Sequence, residues 1–401
     1  MTREKPLLSE RRLLLLLAAV QFTHIVDFMI MMPLGPQLQR ELGIDARQFG
    51  SLVSAYGLTA GIVGLAFAPF ADRFDRRKLL LFCYSGFALG TLACGLATDV
   101  SSLMLARAVC GAFGGVSGAT LMAIVADVVP PERRAHGMGV IMTAFSAAAA
   151  LGVPLGLTVA QWWKWEAPFL AVAAVSVVVW IGLFRILPPV RGHLTGGNVK
   201  SIGDFLELIR NRNAWTGLAL MAAMVLGHFT LIPYLAQHLV GNVGLPEKSL
   251  FLIYLTGGIV TVFTGPLIGR LADRHGRFRV YCILVVVACT VIRLFTSSGP
   301  QPLWLVLLMA AFFFAFANGR FVPGQAVISM AVPPARRGAY MSLVACSRDL
   351  AAGLTATLGS YIVAQGSNGK LLHFDRLGWL AIGASVFSVW IFSRVKSAEK
   401  A

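Results

Sequence analysis

The sequence predicts an all-α membrane protein of twelve transmembrane helices in two pseudo-symmetric bundles of six, and three observations carry that expectation. First, the 401 residues are 57% hydrophobic with a mean hydropathy of +0.74, and apolar stretches of helical length recur from Leu13 to Phe392 with only short polar breaks. A bilayer span takes about 20 apolar residues, and twelve such stretches are centred near residues 23, 58, 88, 114, 149, 177, 225, 258, 288, 317, 351 and 385. Lines such as LLLLLAAV and ILVVVACTVI do not alternate in polarity as the strands of a transmembrane barrel would. Second, the charge is sorted by loop. About 24 of the 34 Lys and Arg fall in the two tails and the even-numbered loops, about six in the odd-numbered loops and about four inside spans. That bias puts both termini and the middle loop in the cytoplasm, and it makes the net charge of +16 a membrane signal rather than a nucleic-acid one. Third, the chain repeats itself. Val129–Met138 reads VPPERRAHGM and Val332–Met341 reads VPPARRGAYM, 203 positions apart, while Ala71-Asp72-Arg73 returns at nearly that offset as Ala272-Asp273-Arg274. Six spans per repeat keep both copies in one orientation, so the halves are expected to be related by an axis along the membrane normal.

Span 1 opens ERRLLLLLAAVQF, with the basic and apolar regions of a signal peptide. It reads as a span because the apolar stretch runs on to Pro33 without a clear cleavage site, and eleven more spans follow. Inside it, QFTHIVDFM sets Gln21, His24 and Asp27 at successive i, i+3 steps on one broad face. Lipid cannot solvate that face, which is therefore expected to line a central cavity. Phe28, Met29, Met31 and Met32 beside it read either as an adaptable apolar wall or as ordinary packing. Between spans 2 and 3, Asp72 to Lys78 puts six charged residues into seven positions. Span 4 carries Arg107 and the small-residue stretch Gly111–Ala119, and span 5 carries Gly152, Pro154 and Gly156. Small residues let helices approach closely, and Pro154 removes one backbone hydrogen bond and favours a bend. QWWKWE, Gln161 to Glu166, reads as an outer interfacial belt.

The longest polar stretch, Pro188 to Asn213, divides the chain into residues 1–187 and 214–401. It reads as a linker, 188–213, holding one short amphipathic helix, Ile202 to Ile209. In the second half His228, Tyr234, Asn318, Arg320, Arg348 and Asp349 are the candidate cavity residues, with Arg293 a further charge inside a span. Arg348 and Asp349 are adjacent, so they point about 100° apart on a helix and need not pair. Arg320 is either a substrate contact or the partner of an acid such as Asp349, and His228 is a packing residue or a ligand. The six cysteines lie within spans without a CxxC pair and read as small apolar packing residues, leaving no metal site or disulfide to expect.

The charged turns carry a family likeness. GRLADRHGR, Gly269 to Arg277, resembles the cytoplasmic loop signature of the major facilitator superfamily, matching it at Gly269, Asp273, Arg274, Gly276 and Arg277. ADRFDRR, with Asp72, Arg73 and Arg76, resembles a degraded copy of it after span 2. LARAVCGAFGG with Arg107, LGVPLG with Gly152, Pro154 and Gly156, and DFMIMMPLGPQL resemble the twelve-helix drug:proton antiporter branch, of the arabinose-efflux-permease type. The likeness covers the whole chain. It implies alternating access between the two halves, a bacterial inner membrane, a monomer, a small-molecule substrate, protons as the other partner and no cofactor. It also implies that Asp72 and Asp273, with their arginines, latch neighbouring helices at the cytoplasmic face in one access state. The first copy departs from the pattern at Ala68 and Asp75, where the family has glycines, so the second copy is expected to make the cleaner turn.

The buried charges point to a driving force. A centrally placed Asp or Arg costs about 2.5–3.5 kcal/mol on insertion scales, and something must offset it. In a low-dielectric cavity burial disfavours the charged form of Asp27 and a nearby Arg favours it, so Asp27 is the candidate proton carrier, with His24 on the same face. The family likeness sets spans 1 and 4 side by side, making Arg107 the counter-charge. A static bridge holding two helices is the competing reading. One proton moving inward across 100 mV supplies about 2.3 kcal/mol, enough for a substrate gradient of roughly fiftyfold. The expectation is export of a small, partly hydrophobic drug or metabolite in exchange for protons. Too few Asn, Gln and Trp fall on inward faces to suggest a sugar, and a multiply anionic solute is equally unsupported. An uptake symporter or uniporter of the same fold is the nearest alternative, and a non-transporting receptor would have no need of Asp27. Gly115-Val116-Ser117-Gly118 matches the GxSG of intramembrane serine proteases, with His228 as an imaginable base, but the serine lies in a packing stretch and a twofold repeat has no role in such an enzyme. With no HExxH, no GxxxxGK[ST] and no large soluble domain, neither an enzyme nor an ATP-driven pump is expected.

Overall fold

A computed structural model describes residues 4–130, 133–191, 194, 207–208, 210–333, 336–366 and 369–398. Twelve long helices account for the spans. They are α1 Glu4–Ile30, α2 Ala46–Phe67, α3 Arg76–Gly95, α4 Val100–Val128, α5 from Arg134 to Trp162 and α6 Ala167–Ile186. In the second half come α7 from Arg212 to Gly241, α8 Leu250–His275, α9 Arg277–Thr296, α10 from Leu303 to Ser329, α11 Arg337–Ile362 and α12 Phe374–Arg394. A short helix, Gly35–Leu42, extends α1, and the strands Ala364–Gln365 and Leu371–Leu372 pair as a small hairpin before α12. The expected helix at 202–209 lies largely outside the described residues.

Eleven of these helices are long and apolar enough to cross a bilayer. The exception is α11, whose sequence RGAYMSLVACSRDLAAGLTATLGSYI carries Arg348 and Asp349 at its centre among several Ser and Thr. It is packed along α2 and α7, which cover much of its polar surface, and it turns Leu354, Leu358 and Tyr361 outward. The lipid-facing surface is greasy elsewhere, with Phe82, Leu105, Val178, Phe263 and Val286 all well exposed.

The halves repeat their packing. In the first, α2 packs on α4, α3 on α4 and α6, and α1 on α5 and α6; in the second, α8 packs on α10, α9 on α10 and α12, and α7 on α11 and α12. Between the halves, α2 meets α11 and α5 meets α8. Three helices are interrupted. A proline lacks the N–H that would bond the carbonyl four residues back, and its ring clashes there. The carbonyl freed by Pro154 is that of Ala150, inside a π turn, Ala148–Gly152, which interrupts α5. Pro233 frees Phe229, where α7 breaks before resuming at Ile232, and Pro323 frees Gly319, where α10 breaks before resuming at Phe321. Pro266 leaves α8 continuous.

The two ends of the molecule differ. At the end opposite the Asp72 turn, the halves are tied: Arg40 pairs with Glu247, the guanidinium of Arg47 stands 4.7 Å over the ring of Tyr361, and the Gly35–Leu42 helix packs on the second part of α7. At the end carrying the turn, Arg76, Arg133 and Arg191 each pair within the first half, and Arg277 within the second.

Candidate functional site

Four helices of the first half converge on one ion pair. Asp27 from α1 and Arg107 from α4 are both 0% exposed, with Nη1 of the arginine 2.7 Å from Asp27 Oδ2. The same Nη1 donates to the Asp27 carbonyl at 3.1 Å, and Thr91 Oγ1 of α3 donates to Oδ1 at 3.1 Å. The ring of Tyr56 on α2 lies 4.7 Å from the guanidinium, in cation–π range. Arg107 Nε and Nη2 remain buried without a hydrogen-bond partner among the described residues. Such a pair is expensive to desolvate and costlier still to split, since removing one partner strands the other. His24 turns away into an aromatic box, edge-on to Phe87 at 4.2 Å and to Tyr84 at 5.6 Å, and its Nε2 has no hydrogen bond. Gln21 is half-buried and Met31 is fully packed in the core. Gly152 and Gly156 hold α5 against Val26, Phe22 and Ile30 of α1.

Across the seam, Arg348 and Asp349 do pair, Nε to Oδ1 at 2.9 Å, with side chains 40% and 24% exposed. Their Cα–Cβ bonds diverge as expected, but the long arginine stem folds back far enough to close the gap. Tyr56 is within electrostatic reach of Asp27, Arg107 and Asp349, and Arg348 in turn feels Tyr56. The tyrosine therefore has charges of both halves within electrostatic reach. Sequence reasoning missed Tyr56 and Thr91, since neither a ring nor a hydroxyl inside an apolar run carries a charge signal.

With Asp349 engaged by Arg348, the alternative that Arg320 pairs with Asp349 does not hold. Arg320 sits at the break of α10, 0% exposed, where Nη1 donates to Ser385 Oγ at 2.5 Å and Nη2 to the Met224 carbonyl at 3.1 Å, leaving Nε without a partner. The His228 ring stacks on Phe313 at 5.4 Å and meets Phe321 edge-on at 5.9 Å. Asn318 is half-buried, while Tyr234 donates to the Ala356 carbonyl at 2.9 Å and packs on Phe49. Among the described residues no His, Cys, Asp and Glu cluster is arranged to hold a metal.

Comparison with known proteins names the architecture. The sequence matches the Major Facilitator Superfamily profile over residues 17–316 and again over 226–401. The chain belongs to the major facilitator superfamily. It is 25% identical over 380 residues to the MFS-type transporter YtbD of Bacillus subtilis strain 168, covering 94% of each chain. It is 23% identical over 348 residues to a probable sugar efflux transporter of Helicobacter pylori strain 26695, covering 86% of this chain and 84% of that one. Among solved structures, a D-xylose–proton symporter aligns with a TM-score of 0.75 at 14% identity, over 94% of this chain and 96% of the other. A bacterial homologue of the human lysosomal transporter Spinster, inward-facing and unoccupied, aligns at 0.69 and 16% identity, over 96% and 95%. This is thus a multi-pass membrane transporter for a small molecule.

In this superfamily member the two charged turns are unequal: the second, with its glycine, joins its helices directly, while the first carries the denser ion-pair network. In the first turn Arg76 bridges Asp72 at 2.6 Å and Asp127 of α4 at 3.1 Å, while Arg77 donates to the Phe184 carbonyl at 2.5 Å. Asp75, standing where the family has glycine, caps α3 through the Arg77 N–H at 2.9 Å and pairs with Arg191 at 2.7 Å, fastening the chain that leaves α6. Partial burial works against its ionisation, but the Arg191 bond and the N–H groups of Arg77, Val190 and Lys78 outweigh that and hold its carboxyl below the ordinary carboxylate range. Arg73 lies over the ring of Phe70. The second turn keeps its glycine, with Gly276 at φ +91°, a backbone that side-chain-bearing residues rarely adopt. Its acid does less: Asp273 is 76% exposed and 3.9 Å from Arg277, Arg274 is exposed, and Gly269 has only Val322 near its missing Cβ.

Proposed function

We propose that this transporter exports a small, partly hydrophobic organic molecule, a drug or metabolite, in exchange for protons. It would work as a monomer in a bacterial inner membrane with both termini cytoplasmic. Residues 1–187 and 214–401 are the moving bodies and 188–213 their linker. The observation that carries the reading is the fully buried Asp27–Arg107 pair, with the Tyr56 ring 4.7 Å from the guanidinium and Asp349 of the other half within electrostatic reach of that tyrosine. A proton arriving on Asp27 takes away the anion that holds Arg107. The freed guanidinium is then left with the Tyr56 ring, which itself interacts with Asp349 of the other half, so a protonation inside one half alters the attraction between the two. Under the orientation read from loop charge, ties at the end opposite the Asp72 turn make this an inward-facing state. The Asp72–Arg76–Asp127 network is the stronger of the two latches. Export is supported by relatives named as probable sugar efflux transporters, which also puts sugars on the list of cargoes to try.

The test is reconstitution of wild type and Asp27→Asn into vesicles, with a mixed panel of drugs, sugars and metabolites followed with and without a pH gradient. Wild type should transport down the proton gradient, while the variant loses the response to pH but still exchanges substrate. An equal response in both proteins overturns Asp27 as the coupling group, and the gradient polarity that drives accumulation separates export from uptake.

A further inference from the structure

We propose that Arg320 forms an anion subsite in the second half that takes the single acidic group of a partly aromatic organic acid. The inference rests on the transport reading above and names its substrate class. An arginine stays charged and brings five N–H donors, and a buried charge without a counter-ion is costly. The other buried or half-buried arginines near the seam meet that demand, Arg107 with Asp27 and Arg348 with Asp349. Arg320 does not. Its two hydrogen bonds go to neutral oxygens, its Nε is idle, and its electrostatic neighbours are Tyr281 and Cys289, with no carboxylate in reach among the described residues. Counting from the prolines that end the first helix of each half, Pro33 and Pro233, Gly227 stands where the first half has Asp27. A Cβ at Gly227 would lie 2.9 Å from Arg320 Nη2. The second half therefore has no acid at the position of Asp27, and Arg320 is a cation of its own, standing 203 residues after Ser117 rather than after Arg107.

The surroundings fit the rest of such a molecule. His228 is within electrostatic reach of Arg320 and has its own Nδ1 buried and idle. Its ring, with Phe229, Phe313 and Phe321, forms an aromatic wall. Phe229 faces Phe28 of the first half at 6.0 Å, so the wall continues to the seam. Arg320 is shut in this state, but α7 breaks after Phe229 and α10 breaks at Arg320 itself, placing two interrupted helices where an entrance would have to open.

The probe is p-toluenesulfonate, charged at every working pH, added to the purified full chain at constant ionic strength. Neutral p-toluenesulfonamide and cationic benzyltrimethylammonium serve as matched controls, and thermal unfolding is the readout. The sulfonate alone should raise the midpoint of wild type. Arg320→Gln should weaken that response about tenfold or more, and Arg320→Lys should keep part of it. Ser385→Asp, which supplies an internal carboxylate at the existing hydrogen bond, should abolish the response without lowering the starting midpoint, which keeps the test sound if Arg320→Gln folds poorly. The proposal is overturned if wild type ignores the sulfonate, if either control or sodium chloride alone does as well, or if Ser385→Asp still responds. Asp27→Asn should retain the sulfonate response, so failure of the anion subsite and failure of proton coupling give different results.

Discussion

Replacing Gly57 by alanine should force the two halves apart along the seam between α2 and α11. A Cβ at Gly57 would stand 2.7 Å from the Gly353 nitrogen and 2.9 Å from both the Asp349 carbonyl oxygen and the Gly353 Cα. All three atoms are α11 backbone, so no flexible side chain is present to yield. A methyl carbon seeks a separation of about 3.5 Å, so α11 must retreat by roughly 0.6–0.8 Å. Overfilling a fitted contact costs about 1–3 kcal/mol. The retreat also carries the Arg348–Asp349 pair away from Tyr56, and any state in which the seam is already open escapes the penalty. Detergent-solubilised wild type and variant would be compared by unfolding in sodium dodecyl sulfate, together with spin-label distances between the ends of α2 and α11. Gly118→Ala is the control, because a Cβ there meets nothing within 4 Å. Gly57→Ala should lose about 1–3 kcal/mol and shift the distance distribution, and Gly118→Ala should do neither. A Gly57→Ala protein as stable as the control, with unchanged distances, would refute the idea that this seam is closed backbone to backbone.

Three further outcomes follow from the geometry. Arg107→Gln strands Asp27 with Thr91 as its remaining side-chain donor and should cost about 3–5 kcal/mol in the same unfolding assay, much of which the double variant with Asp27→Asn should recover, because neither charge is then left alone. Asp75→Asn should cost about 0.2–1 kcal/mol near pH 7, because Arg191 is largely exposed. Since folding depresses the Asp75 carboxyl, the stability it adds is present above about pH 4 and is lost as pH falls through the folded value, so wild type and variant should converge in unfolding scans below pH 4. Gly276→Ala should cost about 1–3 kcal/mol through backbone strain alone, its Cβ position being open, which a melting curve reads directly.

Much of the architecture is legible because the bilayer imposes strong rules. Twelve apolar stretches mark the twelve long helices, eleven of them apolar enough on their own to cross a bilayer, and the cost of an intramembrane charge singles out Asp27 and Arg107, which the fold brings to 2.7 Å. What was missed depends on side-chain placement that the sequence does not show. The pairing of Arg348 with Asp349, adjacent in sequence, depends on how the arginine stem folds, which spacing alone does not reveal. Asp75 looks like a damaged glycine until Arg191 arrives from more than a hundred residues away. Pro154, Pro233 and Pro323 each accompany an interruption and Pro266 does not, so proline marks where a helix is able to break, and the neighbours that accept or refuse the freed backbone groups decide whether it does.

The two halves repeat their backbone packing and differ in their charges, and that asymmetry bears on how the proposed exchange would be achieved. A half that held both a proton carrier and a cargo-binding cation at one point would let the two ligands compete only by direct displacement. Here Asp27, the proposed proton carrier, lies in the first half, Arg320, without a carboxylate partner among the described residues, lies in the second, and Tyr56, Asp349 and the glycine seam lie along the boundary between the halves. Under the proposed mechanism the coupling must then pass through the relative position of the halves, which is the one coordinate that alternating access changes. Tightening or loosening the seam should accordingly alter the proton-to-cargo coupling even where both binding sites are intact. Gly57→Ala is thus expected to uncouple transport partially while leaving the protonation of Asp27 and the sulfonate response of Arg320 in place.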